Sequence, residues 1–259
     1  MASPTEPIEA DREPVAVDPP TAEAKRLWGR LGKLAVAFGA DGGWSLIGGL
    51  MVQLHAYEHG DESRPTTDID ILGDARNRPS MTEKLAQTLK DLGGDLHLPP
   101  RTDAKIGYRF EIEGETVEVL GPDGLREYPR TLGTFETIMV DGGTQALRRT
   151  ERVPVSIAGA EPVIVRRPTL LGAILIKARA MASAKAKLAE HREDLIRLLT
   201  FVQDPRALAD AGALSRSEQG WMRAIESDLA FDDPRLRGLF SDAQLQRASQ
   251  AFALLSRRR

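Results

Sequence analysis

Leu46-Ile47-Gly48-Gly49 opens the most informative part of this sequence, and eighteen residues later follows Arg64-Pro65-Thr66-Thr67-Asp68-Ile69-Asp70-Ile71-Leu72. The first stretch predicts an apolar strand that runs into a double glycine and then into a short helix. The second predicts a strand with two aspartates. Because alternate side chains of a strand share one face, one face is expected to carry Arg64, Thr66, Asp68 and Asp70, and the other to place Ile69 and Ile71 in the core.

The two stretches together predict a site for phosphate and metal. Two carboxylates about 7 Å apart on a rigid strand suit a divalent cation. The paired glycines let the backbone come close to phosphates, and the helix after them offers its N-terminal N–H groups. A phosphate cradle beside metal-binding carboxylates is the equipment of nucleotidyl transfer.

The order and spacing of these motifs resemble the nucleotidyltransferase superfamily, which has a DNA polymerase β-like fold. Within it, the Arg-x-Thr-x-Asp-x-Asp pattern from Arg64 to Asp70 is similar to the AbiEii and MenT-type toxins of type IV toxin–antitoxin systems. The resemblance implies a metal-dependent transferase with Mg²⁺ (or Mn²⁺) and an NTP as co-substrate. Asp68 and Asp70 would be its metal ligands.

The resemblance also implies roles for the residues around the aspartates. Gly48 and Gly49 would receive the triphosphate. Thr66 matches the hydroxyl position of the family motif, where it would bond a phosphate or be modified itself; a strand threonine with no such role is the alternative. Arg64 would bind phosphate bidentately, or else lie at the surface at the end of a loop.

A third carboxylate is expected from a neighbouring strand. The run from Glu115 to Pro122 is similar to the third acidic strand of the family, and it selects Glu118 as the third metal ligand. The family more often has Asp here, so the side chain is one methylene longer. The alternative is that Glu118 is an exposed residue of an amphipathic strand, and Asp123 is then the reserve candidate.

The helical part of the chain contributes two more candidates by the same resemblance. Lys177 matches a lysine that contacts the nucleotide phosphates, and Asp194 matches an aspartate of the site. Lys177 follows apolar positions on its helix, so its charge requires a partner or a phosphate. A lysine that reaches solvent and an ordinary helix salt bridge are the alternatives.

Composition narrows the kind of site. The 259-residue chain is 41% hydrophobic and 28% charged, as in an ordinary soluble globular protein, and it suits one large or two small domains. It has no cysteine and only four histidines, which favours a metal held by oxygen.

No window approaches the roughly 18 apolar residues of a membrane span, and the acidic start does not match a signal peptide. A cytoplasmic location is expected.

The charge is distributed unevenly along the chain. Residues 1–20 hold five acidic residues and one arginine, a contribution of −4 to the net charge of −3, which leaves +1 for the rest. Such a near-neutral chain lacks the strongly basic field of a general nucleic-acid binder. Local basic clusters remain as candidate surfaces: Arg148 with Arg149 and Arg152, Arg166-Arg167, Lys177 to Lys187, and Arg257 to Arg259.

The predicted fold class is an α/β (α+β) nucleotidyltransferase core with a mixed sheet, followed by an all-helical C-terminal domain. Residues 1–20, rich in proline and acid, are predicted to be a disordered leader, residues 21–167 the α/β domain and residues 168–259 the helical domain. Ser80 to Glu83 reads as a capping box. The predicted C-terminal helices are Leu170 to Ala182, Lys187 to Val202, Arg216 to Leu229 and Asp242 to Leu255.

Three functions are consistent with the sequence. The first is a toxin-like nucleotidyltransferase with an RNA acceptor, such as the 3′ end of tRNA, and with a cognate antitoxin protein as partner. The second is a nucleotidyltransferase with a small-molecule acceptor, of the aminoglycoside-modifying kind, or with a protein acceptor. The third is a non-catalytic nucleotide-binding module.

Overall fold

The computed structural model describes residues 12–40, 42–98, 105–183, 187–212 and 214–257. The strands are β1 (Val15–Val17), β2 (Trp44–Ile47), β3 (Asp68–Gly73), β4 (Asp95–His97), β5 (Arg109–Ile112), β6 (Glu115–Pro122), β7 (Met139–Val140), β8 (Thr150–Ile157) and β9 (Val163–Pro168). The helices are α1 (Ala22–Phe38), α2 (Gly48–Glu58), α3 (Met81–Asp91), α4 (Gly143–Arg148), α5 (Leu170–Ser183), α6 (Leu188–Thr200), α7 (Pro205–Gly212), α8 (Arg216–Ala224), α9 (Glu226–Leu229) and α10 (Asp242–Leu255).

The larger sheet carries the strands that the motifs predict. Its order is β2-β3-β6-β5-β4, with β7 added beside β6. Strands β3 and β6 are parallel, whereas β2 pairs with β3, and β5 with β6, in antiparallel fashion. Ile69 and Ile71 are fully buried, as the alternation of β3 predicts. The sheet is therefore mixed, and β3, which carries the two aspartates, lies between β2 and β6.

The smaller sheet has the order β1-β8-β9 and corrects the prediction for the leader. Strand β1 pairs in parallel with β8, and Val15 and Val17 are buried. The prediction of disorder is therefore wrong for this part of residues 1–20. Residues 1–11 lie outside the described part of the chain. The pairing strand is about 140 positions further along the sequence, so local composition gave no sign of it.

The turn between β5 and β6 fixes the register of the site. The hairpin at Glu113 and Gly114 aligns Arg109 with Glu118. The parallel pairing of β3 with β6 aligns Asp70 with Glu118. Two neighbouring strands thus place an arginine and an aspartate on either side of one glutamate.

Among the described residues after Pro168 the regular secondary structure is all helical, and the predicted fold class, a mixed-sheet α/β core followed by a helical C-terminal part, is confirmed. Three details differ from the prediction. Ser80 precedes α3, but its side chain makes no capping hydrogen bond. The single helix predicted from Arg216 is broken at Ile225 into α8 and α9, and α7 was not predicted. The division at residue 168 into two domains stays a prediction.

Helices α5 and α6 bring the C-terminal part to the motifs. They pack on each other, and both contact α2. Their apolar faces, with Ile174, Leu175, Leu195 and Leu198 among them, are fully buried. No helix within the described ranges is both long enough and apolar enough to cross a membrane.

Candidate active site

An open cleft of about 460 Å³ lies where the start of α2 and strands β3, β5 and β6 face α5 and α6. It contains every candidate site residue of the sequence analysis except Asp194, which lies directly behind it, and Asp123. The lining residues are Gly48, Gly49, Arg64, Pro65, Thr66, Thr67, Asp68, Asp70, Tyr108, Arg109, Glu118, Lys177, Lys187, Glu190 and His191.

The double glycine comes into direct contact with the aspartate strand. Gly48 has a φ of +70°, and a Cβ built on it would lie 1.7 Å from Oδ2 of Asp70. No other residue fits there, because this backbone conformation disfavours side chains and the carboxylate fills the space. The first N–H groups of α2 have no acceptor within the helix, and the helix begins beside the carboxylate. A helix start of this kind can receive an anion.

Gly49 makes the same kind of approach to Thr66. A Cβ on Gly49 would lie 2.6 Å from the Thr66 hydroxyl oxygen. That hydroxyl donates to Oδ1 of Asp68 at 2.7 Å. The hydrogen bond fixes the Asp68 carboxylate and leaves its other oxygen without this partner. In the structure Thr66 thus orients a carboxylate, and the phosphate contact or modification expected from the sequence stays a prediction.

The carboxylates of Asp68, Asp70 and Glu118 repel one another. Burial, together with the charges of Asp68 and Glu118, raises the pKa of Asp70 to about 7, although Lys177 and Lys187 act in the opposite direction. Burial and like charges thus disfavour the charged form of this carboxyl group, and a cation bound beside it would favour that form. The site is thus arranged for positive charge.

Glu118 is buried in the cleft, but Arg109 engages it. Oε1 of Glu118 accepts from Nε of Arg109 at 2.9 Å and from Nη2 at 2.5 Å. Among the described residues no three acidic or histidine side chains are placed to hold one metal ion. In this arrangement Glu118 is paired with Arg109, and its role as a third metal ligand stays a prediction.

Asp68 and Asp70 nevertheless fit a hard cation. Both are carboxylates on one rigid strand, and an all-oxygen donor set suits Mg²⁺ or Mn²⁺. Mg²⁺ is commonly bound by one or two carboxylates together with substrate phosphates and water. The donor chemistry therefore fits a cation that is completed by a phosphate ligand.

Asp123, the reserve candidate, lies outside the cleft. Its carboxylate accepts from the backbone N–H groups of Gly142 at 3.1 Å and of Thr144 at 2.9 Å, at the start of α4. Burial alone would raise the pKa of Asp123, but these hydrogen bonds outweigh it and hold the pKa below its usual value. In this structure Asp123 caps a helix and is not a third carboxylate of the site.

Asp194 joins the two candidate phosphate-binding cations. Its Oδ2 accepts from Nζ of Lys177 at 2.7 Å, while Nε and Nη2 of Arg64 donate to Oδ1 and Oδ2 at 2.9 and 3.1 Å. Burial would raise the pKa of Asp194, yet the charge of Lys177 and the hydrogen bonds of Arg64 lower it. Arg64 also forms an ion pair with Glu190 at 3.3 Å. The bidentate partner of Arg64 is thus a carboxylate of the protein.

Tyr108, Arg109, Glu190 and His191 line the cleft but were not assigned a role from the sequence. His191 and Asp194 are three positions apart on α6, so helical periodicity could have placed them on one face. Burial and the charge of Lys177 lower the pKa of His191. Neither Tyr108 nor Arg109 belongs to a motif that would have marked it.

The predicted basic clusters are largely engaged in ion pairs. Arg149 contacts Glu218 at 2.9 Å, and Arg179, between Lys177 and Lys187, lies 3.6 Å from Asp141. Arg166 and Arg167 are buried. Lys187 is exposed at the rim of the cleft. The described part of these clusters thus offers fewer solvent-facing charges than the sequence suggests.

Comparisons with known proteins give the following likenesses. The chain is similar in structure to an antigenic nucleotidyltransferase-like protein from Paracoccidioides brasiliensis, with 16% identity over 88% of this chain and 94% of that chain and a TM-score of 0.47. ANT(2")-Ia in complex with adenylyl-2"-tobramycin gives 16% identity, 73% and 94% coverage and a TM-score of 0.42. JHP933 from Helicobacter pylori has 13% identity over 91% of this chain and 93% of that chain, with a TM-score of 0.40. No protein-family model and no curated protein sequence matches.

Proposed function

We propose that this protein is a nucleotidyltransferase, dependent on a divalent cation, that transfers a nucleoside monophosphate from an NTP to an acceptor hydroxyl and releases pyrophosphate. The observation that carries the proposal is the close approach of Gly48, at the start of α2, to Asp70 on β3. It sets N–H groups that attract phosphate directly beside carboxylates that attract a cation. A nucleotide and its cation would share this one cleft.

The residues on the two walls of the cleft have different roles. Asp68 and Asp70 would hold the cation, which neutralises charge on the triphosphate and favours attack at phosphorus. Thr66 keeps the Asp68 carboxylate in place through its hydroxyl. On the opposite wall Asp194 holds Lys177 and Arg64 in fixed positions, from which their positive charges would stabilise the phosphates.

The acceptor we propose is RNA, such as the 3′ end of tRNA, in a toxin-like protein with a cognate antitoxin. The support is the resemblance of the stretch from Arg64 to Asp70, together with Lys177 and Asp194, to the toxin pattern. Lys187 at the rim of the cleft would contribute to phosphate contacts. The proposal keeps the cytoplasmic location expected from the sequence.

A small hydroxyl-bearing acceptor is the second candidate, and a specific observation favours it. Three cations of the predicted RNA-binding surface, Lys177, Arg179 and Arg149, each contact a carboxylate of the protein. Paired charges give little of the sequence-independent attraction on which RNA binding depends. A binding module without catalysis is the third candidate.

The experiment is incubation of the purified protein with each α-³²P-labelled NTP and Mg²⁺, with total RNA, an aminoglycoside or protein alone as acceptor. Asp70→Asn removes a candidate metal ligand, whereas Asp95→Asn changes an exposed aspartate that pairs with Lys90 at 3.1 Å. We expect label on RNA with the wild type and Asp95→Asn, and none with Asp70→Asn.

The other outcomes discriminate between the candidates. Label on the aminoglycoside or on protein alone would replace the proposed acceptor and leave the reaction class standing. Nucleotide binding without label on any acceptor would favour the binding module. Full transfer by Asp70→Asn would contradict the proposed site.

A further inference from the structure

Arg109 and Glu118 form an ion pair inside the proposed metal site. They lie directly opposite each other on β5 and β6, and Glu118 is also aligned with Asp70 on β3. Both hydrogen bonds from the guanidinium go to Oε1 of Glu118. The pair therefore occupies the side of the cleft where a third metal-binding carboxylate was predicted.

The two members of the pair differ in their freedom to move. The Glu118 side chain is 11% exposed, whereas that of Arg109 is 51% exposed. Water and other anions can solvate the exposed guanidinium when it leaves, whereas the buried Glu118 carboxylate then requires another cation in its place. Arg109 can thus move away while the strand keeps Glu118 in place.

The chemistry of the guanidinium provides a reason for it to move. Arginine binds phosphate bidentately, as it binds carboxylate. Arg109 lines the same cleft as Gly48 and Gly49, the first two residues of α2. A triphosphate held there would present oxygens for which Arg109 can exchange the Glu118 carboxylate.

We propose that Arg109 is an internal counter-cation that keeps Glu118 from binding metal until a nucleotide draws it away. The inference rests on the proposed function. Without nucleotide, Asp68 and Asp70 hold one divalent cation weakly. With nucleotide, Arg109 turns to the phosphates, Glu118 becomes available and a second cation binds. Arg109 is a positioning residue in this scheme, acting through Glu118.

Mn²⁺ binding, measured by electron paramagnetic resonance on the nucleotide-free protein, tests the proposal. Arg109→Gln removes the charge, and we expect it to bind Mn²⁺ at least tenfold more tightly than the wild type, with a second ion per chain. Arg109→Lys keeps the charge and is expected to bind as the wild type does. Arg237→Gln, which removes an exposed arginine that pairs with Asp242, is the matched control and should change nothing.

A second variant shows whether the gain passes through Glu118. In the double variant Arg109→Gln/Glu118→Gln, we expect Mn²⁺ affinity to return to the wild-type value or below it. A gain that persists without the Glu118 carboxylate would overturn the proposal. Circular dichroism of each variant shows that the fold is retained.

Nucleotide is then added as a non-hydrolysable NTP analogue. The wild type should now bind two Mn²⁺ ions, as Arg109→Gln does alone. Two ions bound by the nucleotide-free wild type, or equal affinities of wild type and Arg109→Gln, would overturn the inference but not the proposed function. If the wild type and Asp70→Asn take up equally little Mn²⁺ with nucleotide present, the proposed function fails as well.

Discussion

Gly48→Ala tests the closest contact of the candidate site. The new Cβ would lie 1.7 Å from Oδ2 and 2.6 Å from Cγ of Asp70, at a φ of +70°. The left-handed backbone costs about 1–2 kcal/mol for a residue with a Cβ. Forcing the Asp70 side chain off its rotamer adds about 0.5–1.5 kcal/mol. The total is about 1.5–3.5 kcal/mol, which for a chain of this size lowers the melting temperature by roughly 3–14 °C.

The same displacement would also impair transfer. Moving a reacting or metal-binding group by about 1 Å can reduce the rate about 100-fold. We therefore expect Gly48→Ala to lose at least about two orders of magnitude in nucleotide transfer while it remains folded. Differential scanning calorimetry and the labelled-NTP assay measure the two effects separately.

Gly60→Ala is the matched control. Gly60 has a φ of +64°, close to that of Gly48, but a Cβ there would meet nothing within 4 Å. It should therefore show the backbone cost alone, about 1–2 kcal/mol, with the transfer rate unchanged. Equal melting temperatures of the two variants, with wild-type transfer in Gly48→Ala, would refute the reasoning.

Three further predictions concern the carboxylates. Asp70→Asn should stabilise the cation-free protein, because the pKa of Asp70 is about 7 in the folded chain against an ordinary value of 3.8. As pH rises from 3.8 to 7, the unfolded wild type loses this proton before the folded wild type does. The free energy of unfolding of the wild type then falls by at most about 4 kcal/mol, whereas that of the variant does not. Thermal melts should show the largest difference in melting temperature between Asp70→Asn and the wild type at pH 8, and equal melting temperatures at that pH would contradict this. Asp194→Ala leaves the buried Lys177 without its carboxylate and should lower the free energy of unfolding, measured with urea, by about 3–5 kcal/mol. The double variant Lys177→Met/Asp194→Leu should recover part of that loss. A double variant no more stable than Asp194→Ala would count against the pairing. Asp123→Ala should cost about 1 kcal/mol by removing a helix cap with unchanged transfer, and reduced transfer would return Asp123 to the site.

Sequence patterns of a few neighbouring residues predict those elements of the fold that the same few residues determine. The apolar strand before Gly48, the alternation of Ile69 and Ile71 with aspartates, and the hairpin at Glu113 and Gly114 each carry their own signal within a few residues. Strand β1 does not, since its hydrogen bonds come from β8 and its two buried valines stand in a segment rich in proline and acid. The break between α8 and α9 likewise follows no proline or glycine.

The sequence selected part of the lining of the cleft but not the contacts between its residues. The sequence selected Gly48, Gly49, Asp68 and Asp70, and the structure brings them together in one cleft. It could not say that Arg64 contacts Asp194, 130 positions away, because a guanidinium is equally suited to phosphate and to carboxylate. The same ambiguity hid the pairing of Arg109 with Glu118.

Charge balance connects these pairings with the proposed reaction. Asp194 pairs with both Lys177 and Arg64, and Glu190 pairs with Arg64 as well. Arg109 pairs with Glu118, so most of the positive charge beside Asp68 and Asp70 is already paired with a carboxylate. A triphosphate that entered alone would meet two carboxylates, and a cation that entered alone would lack phosphate ligands. Each brings the charge that the other needs, so a cleft built from carboxylates and ion pairs favours the two together.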